Sequence, residues 1–203
     1  RFAHAQAFQR LKATLQRPWS NPIAALDRCR DKLWTHQILA GAGVPIPQTL
    51  AVQSDTDRCP WPHAAVKPRY GSHGVGVSRI TNGALMPHRA ESLQGLEETV
   101  AQRWIDGPLL EPPVAGLALR CLVQRDPVQG WYANPAVLRI SASDPIVNVR
   151  RGATACAMES RFEQQTCDEV RRLALSAAKT LAGQPGCAWT VEVGVDIVLA
   201  GQR

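Results

Sequence analysis

The sequence predicts an α+β fold of two lobes with a cleft between them, and three observations carry that expectation. Strand-like runs dominate, with helical patterns set between them. A proline-containing linker, Leu109 to Gly116, divides the 203-residue chain into two blocks near residue 110. In the first block, Ala65-Val66-Lys67-Pro68-Arg69-Tyr70-Gly71-Ser72-His73-Gly74-Val75-Gly76-Val77 reads as strand, lysine, glycine-rich loop and strand.

Taken from the start, Phe2 to Gln16 carries Phe8, Leu11 and Leu15 at helical spacing and stops at Pro18. Residues 1–20 are therefore expected to end a preceding domain. Pro22 to Arg30 reads as a short helix after the Asn21-Pro22 turn. Asp31-Lys32 opens a second helix with Leu33, Trp34, Ile38 and Leu39 on its apolar face, ended by Gly41 and Gly43. Val44 to Val52 is extended, because Pro45 and Pro47 forbid a helix there. Residues 53–63 read as loop or a poorly formed helix, and Glu91 to Glu98 as a short helix. Thr99 to Ile105 is strand-like and ends at Asp106-Gly107-Pro108.

In the second block Leu117 to Gln124 is a strand, and Trp131 to Ile140 is its hairpin partner through a turn near Asp126-Pro127. Ile146 to Arg150 is a short apolar run before Gly152. Thr166-x-x-Glu169 is a capping box, expected to start a helix with Val170, Leu173, Ala174, Ala177 and Leu181 on one face. Trp189 to Leu199 is the final strand, and its apolar run around Asp196 predicts burial on both faces. The chain opens at Arg1 within a helical pattern and stops at Ala200-Gly201-Gln202-Arg203, so it is expected to be a fragment of a longer one.

A formal charge of +6 and a pI near 9.3 favour anionic partners: nucleotides, nucleic acid or phosphorylated metabolites. No run of five or six basic residues occurs and aromatics are only 5%, so nucleic acid is not signalled. Lysines are few (Lys12, Lys32, Lys67, Lys179) and arginine is the default cation. Six cysteines stand at wide spacings with no Cys-x-x-Cys pair, which argues against a zinc site; Cys59 and His63 alone fall short of one. The even count would allow disulfides, but no signal peptide accompanies it, and idle thiols in the reducing cytoplasm are the expected state. No apolar run is long enough to span a membrane.

The glycine-rich stretch has a chemistry of its own. Pro68 keeps Lys67 extended, and Gly71, Gly74 and Gly76 allow a loop whose backbone N–H groups turn inward on an anion. A fixed ammonium beside such a loop suits a polyphosphate. The spacing matches neither a Walker A loop nor G-x-G-x-x-G, and a plain hairpin turn would need the same glycines. His73 in the loop is within reach of a phosphate, although a lone loop histidine usually has no role. Asp196, in its apolar setting, needs a partner: a metal cation, an arginine or donor N–H groups.

These pieces stand in a recognisable order. Asp31-Lys32 and the run Leu39-Ala40-Gly41-Ala42-Gly43-Val44-Pro45-Ile46-Pro47-Gln48-Thr49 come first. Val66-Lys67-Pro68 with Gly71-Ser72-x-Gly74-x-Gly76-Val77 follow, then Gln102-Arg103-Trp104-Ile105 and Leu119-Arg120-Cys121-Leu122-Val123. Arg139, Asn148-Val149-Arg150-Arg151-Gly152-Ala153 and Gly194-Val195-Asp196-Ile197 complete the set. From about Asn21 to Leu199 the chain resembles the ATP-grasp superfamily, and within it the RimK-like glutamate ligases. The resemblance implies four segments: 1–20 ending a preceding domain, 21–63 the opening helices and connecting segment, 64–110 a lobe with the glycine-rich lid, and 111–203 a second lobe truncated at its C-terminus.

The resemblance further implies an ATP-dependent ligase that phosphorylates a carboxylate and passes the acyl group to an amine, with glutamate or another amino acid as the amine. Lys32, Lys67 and the loop residues Gly71, Ser72, His73, Gly74 and Gly76 would contact phosphates. Gln102, Arg103, Trp104 and Ile105 would receive adenine. Arg120, Arg139, Asn148 and Arg151 would hold the transferring phosphoryl group or the substrate carboxylate, and Asp196 would bind magnesium, with manganese as an alternative ion. Partners are then ATP and small-molecule acid and amine substrates, with no membrane, and a homo-oligomer left open. Three departures are visible. Ala118 stands where the family usually has an acidic residue, Leu109 and Leu110 offer no acid for a ribose, and the family's Glu-x-Asn is not reached before Arg203. A nucleotide-binding relative without catalysis, serving a regulatory or scaffold role, is the alternative.

Overall fold

The computed structural model describes residues 21–52, 58–70, 74–83, 99–108, 110 and 113–201. The expectations for Phe2–Gln16, for Glu91–Glu98, for Leu109 and for Gly71, Ser72 and His73 lie outside them.

Two helices lead in, α1 (Ile23–Arg30) and α2 (Lys32–Gly41). They are separated at Asp31, whose extended backbone stops α1 and whose carboxylate caps α2 by accepting from the Leu33 and Trp34 N–H groups, both at 3.1 Å. The first lobe is an antiparallel sheet of β1 (Thr49–Val52), β2 (His63–Pro68), β3 (Ser78–Thr81) and β4 (Thr99–Arg103), in spatial order β1-β4-β2-β3. Along β2 the side chains alternate. Ala64 and Val66 are buried against Ala101 and Cys59, with Trp61 and Ile80 beside them, while Ala65 and Lys67 face the other way.

The second lobe is built on β5 (Gly116–Asp126), the longest strand. On one edge it pairs with β9 (Glu192–Ile197), and on the other with β7 (Val137–Ser141) and then β6 (Gly130–Ala133); β8 (Thr154–Ala157) extends the sheet beyond β7. Helix α3 (Gln164–Ala182) covers one face, placing Cys167, Val170, Ala174 and Ala178 on Leu119, Cys121, Val123 and Leu138. Helix α2 packs on α3 through Leu39, Ala177 and Leu181. It thereby ties the opening helices to the second lobe while its N-terminus reaches the first.

The α+β expectation holds; three local ones are corrected. The predicted strand Trp131–Ile140 is two strands, β6 and β7, end to end along one edge of β5, because Pro135 has no N–H for a ladder and the register shifts by one residue there. Helix α3 starts at Gln164, with no side-chain cap, so Thr166 lies within its first turn and caps nothing. Strand β9 is not buried on both faces: Glu192, Gly194 and Asp196 are exposed on the face away from α3. Strand β8 was not foreseen.

Gly116, at the head of β5, lies under the loop 144–147. A Cβ there would stand 2.7 Å from Val147 Cγ2 and 2.9 Å from the carbonyl oxygens of Asp144 and Pro145. Gly116→Ala is expected to lower stability by about 1–3 kcal/mol, the usual cost of overpacking. The measurement is the urea unfolding midpoint, and an unchanged midpoint would mean that the loop yields without cost.

Candidate nucleotide cleft

The face of the second sheet away from α3 and the Ala65–Lys67 face of the first line one cleft of about 1270 Å³. Typical small-molecule sites occupy roughly 300–1,000 Å³, so the cleft has room for more than one small molecule.

Lys67 stands at its floor. Its Nζ donates to Gln102 Oε1 at 2.7 Å, and Gln102 Nε2 donates to Thr49 Oγ1 at 2.9 Å. The side-chain amide predicted to meet adenine is thus engaged within the sheet. Desolvation pushes the Lys67 ammonium down to about 8, and the Asp196 carboxylate opposes that shift.

Above Lys67 the stem of the glycine-rich loop is anchored to α2. Asp31 is buried and takes a bidentate pair from Arg69, Nε to Oδ1 and Nη2 to Oδ2, both 2.7 Å, plus the Tyr70 hydroxyl at 3.2 Å. Burial alone would raise the Asp31 carboxyl, but the bonds from Arg69, the Trp34 N–H and Tyr70 hold it below its ordinary value. The Lys32 N–H donates to Arg69 O at 3.1 Å, and its Nζ to Pro68 O at 2.8 Å. Gly74 and Gly76 both have positive φ, +74° and +67°. Gly74 meets the second lobe: a Cβ on it would lie 3.5 Å from Arg151 Cδ and 3.8 Å from Asn148 Cβ.

Opposite Lys67, Asp196 of β9 is Cα-paired with Arg120 of β5. Its carboxylate, 59% exposed, accepts from Arg120 Nη1 at 3.0 Å and from Arg139 Nη2. Gly194 makes this possible. A Cβ there would stand 2.8 Å from Arg120 Cζ, so the guanidinium lies across the strand where a side chain would otherwise be. Among the described residues the buried Arg139 Nε has no hydrogen-bond partner. Asp196 was expected to be a buried carboxylate and is instead a cleft carboxylate held by two arginines. Among the described residues no group of three or more His, Cys, Asp or Glu side chains could hold a metal ion. Arg151 is paired with Asp144, Nε to Oδ2 at 2.7 Å, while Asn148 Oδ1 caps the 149–151 turn by accepting from the Arg150 N–H at 2.8 Å.

The connector between the lobes closes the far end. The Arg103 N–H donates to Gln48 O and the Trp104 N–H to His63 O. The Arg79 guanidinium lies 4.5 Å from the Trp104 ring centroid and 3.6 Å from Asp106. Gly201, beyond β9, returns to this connector and donates to Asp106 O at 2.8 Å.

Of the residues singled out from sequence, Lys32, Lys67, Gly74, Gln102, Arg103, Trp104, Ile105, Arg120, Arg139, Asn148 and Asp196 line this one cleft. Gly76 and Arg151 are not among the residues that line it. Arg79 was not singled out, and Thr49, Asp106 and Gly194 were quoted only within their stretches with no role of their own, since each acquires its place from a strand pairing or a connector that local pattern does not encode.

No family model matches the chain. It is similar to the probable alpha-L-glutamate ligase of Stenotrophomonas maltophilia strain K279a, 31% identical over 186 residues, covering 88% of this chain and 56% of that protein. It is also similar to the protein so named from Xanthomonas euvesicatoria pv. vesicatoria strain 85-10, 31% identical over 171 residues, covering 80% and 54%. The chain thus spans about half the length of the curated relatives it matches. Among solved structures, D-alanine–D-alanine ligase from Bacillus anthracis complexed with ATP superposes with a TM-score of 0.60 at 16% identity, over 95% of this chain and 58% of that one. Carboxyaminoimidazole ribonucleotide synthase from Aspergillus clavatus complexed with ATP gives 0.65 at 14%, over 97% and 47%. The chain has the fold of the ATP-grasp ligases. Its sequence relatives among them are the RimK-like glutamate ligases.

Proposed function

We propose that the protein is an ATP- and magnesium-dependent ligase that joins a carboxylate to an amine, an amino acid such as glutamate, through an acyl phosphate. The observation that carries this reading is the facing of Lys67 on one lobe and the Arg120–Asp196–Arg139 cluster on the other across a cleft of nucleotide size. ATP supplies the phosphoryl group that activates the carboxylate, and magnesium, or manganese, neutralises phosphate charge.

The residues present suit both groups. Lys67, Lys32 and the loop Gly71–Gly76, with Ser72 and His73, bind phosphates, and the main chain at Arg103–Ile105 receives adenine beside Trp104. Magnesium needs only one or two carboxylates when phosphates and waters complete its shell, and Asp196 is an exposed carboxylate at the right end. Arg120 and Arg139 hold the transferring phosphoryl group, and Asn148 and Arg151 form the substrate end near Gly74. On this reading residues 64–110 and 111–203 are the two ATP-grasp lobes, 21–63 lead into them and 1–20 close a preceding domain. No described helix is long and apolar enough to cross a membrane. All six cysteines are free thiols, which suits the cytoplasm. ATP, an acid and an amine are the partners; nucleic acid is not one, and a homo-oligomer is compatible.

One observation favours the second reading, a nucleotide-binding relative without catalysis. Ala118 pairs with Arg139 on the cleft face and places no carboxylate there. The test is ADP release by the full-length protein with ATP, magnesium and panels of acids and amines. Release that requires both an acid and an amine is expected. ATP binding without release across the panels would favour the second reading, and absence of ATP binding would overturn both.

A further inference from the structure

We infer that Thr49 sets the position of Lys67 through the side-chain amide of Gln102, so that both Thr49 and Gln102 are positioning residues for the phosphate end of the cleft. The inference rests on the reading of Lys67 as a phosphate contact.

Three strands place the participants in a row. Thr49 of β1 is Cα-paired with Gln102 of β4, and Gln102 with Ala65 of β2. Lys67 lies two residues beyond Ala65, on the same face of the strand. The polarity of the row is fixed from its outer end. The Thr49 hydroxyl donates its one proton to Pro47 O at 3.0 Å, so toward Gln102 it has only lone pairs to offer. The Gln102 amide must then turn its NH2 to Thr49, at 2.9 Å, which leaves Oε1 for Lys67 at 2.7 Å. Lysine offers donors only, so a carbonyl is the group it needs, and an amide turned the other way would present N–H to ammonium. Held by one proton, Lys67 keeps two for an anion. Pro47 lies on a segment whose two prolines restrict the backbone, so the row starts from a stiff point. In a desolvated site such a chain of bonds is polarised along its length.

A purely structural role for these bonds would show in stability and not in nucleotide affinity. The experiment is calorimetric titration of the full-length protein with ATP and magnesium, with apo melting temperatures alongside, for Thr49→Val, Thr49→Ser, Gln102→Leu, the Thr49→Val/Gln102→Leu pair and Lys67→Met. Thr49→Val is expected to weaken ATP binding about 3- to 10-fold, the worth of one neutral hydrogen bond. Gln102→Leu should cost at least as much. Thr49→Ser, which keeps the hydroxyl, should return affinity to within about twofold of wild type, and the double variant should match Gln102→Leu alone. The positioning role is overturned if Thr49→Val binds ATP like wild type, if serine fails to rescue it, or if the two single effects multiply, while Lys67→Met still weakens binding. If Lys67→Met binds ATP like wild type, the phosphate role of Lys67 falls first and the inference falls with it.

Discussion

Lys67→Met is expected to weaken ATP binding by about 10- to 150-fold, since removing a charge-assisted contact costs roughly 1.5–3 kcal/mol. Lys179→Ala, on the exposed face of α3, should leave affinity unchanged. Calorimetry reads both, and equal affinities would reduce the glycine-rich stretch to a turn. The effect carries a pH signature. An unfolded-chain lysine titrates near 10.4, whereas desolvation brings Lys67 to about 8. Below about 8 both states hold the proton and the folded state bears the full cost of a desolvated ammonium. As pH rises from about 8 toward 10.4 the unfolded chain binds more protons, so the Lys67 contribution to stability rises with pH in that window. Nucleotide affinity runs the other way. Above about 8 the free cleft has lost the ammonium that phosphate needs, and ATP must bind together with a proton. Binding heats at pH 8.5 in buffers of different ionisation enthalpy should reveal that uptake in wild type and not in Lys67→Met.

Asp31→Ala is expected to lower stability by about 3 kcal/mol. That is the low end of the cost of breaking a buried ion pair, chosen because Arg69 keeps some contact with water. Asp31→Asn should lose less, because asparagine still caps α2. Urea unfolding at pH 7 measures both, and a loss under 1 kcal/mol for alanine would mean that the Arg69 fork contributes nothing net. The carboxyl is held below its ordinary value in the folded state, so its stabilisation is fully present above the ordinary carboxylate range. It disappears as pH falls through that range to the lowered folded value. Wild type and Asp31→Asn should therefore converge in stability on acidification. Because Arg69 and Tyr70 form the stem of the glycine-rich loop, both substitutions should also weaken ATP binding.

Much of this was legible in the sequence where the signal is local. Lys67 near a strand end ahead of Pro68, the strand Thr49–Val52 within the Val44–Val52 segment and the apolar stripe Val170–Leu181 all have the predicted form. What escaped depends on partners far along the chain. Asp196 reads as a buried carboxylate until β9 is laid beside β5, 76 residues earlier, and Arg120 comes opposite it. Gln102 reads as a hinge residue until β1, 53 residues earlier, offers it Thr49. The capping box at Thr166 is a sound local pattern overridden by packing, since α3 begins where Cys167 and Val170 must reach the sheet. Gly194 was quoted only as the neighbour of Asp196, because its purpose is the space above it.

The return of Gly201 to Asp106 bears on how the cleft can open. Two bodies joined by one strand of chain can swivel about any axis through the joint, as on a ball and socket. Here residue 201 clasps the 104–108 connector, and α2 is a second tie, bonded at its N-terminus to Pro68 and Arg69 and packed along its length on α3. Ties at two separate places leave rotation about the line through them as the easiest motion, as for a door on two pins. A group seated by the connector lies beside one of those pins and would keep its place while the contact of Gly74 with Asn148 and Arg151 parts.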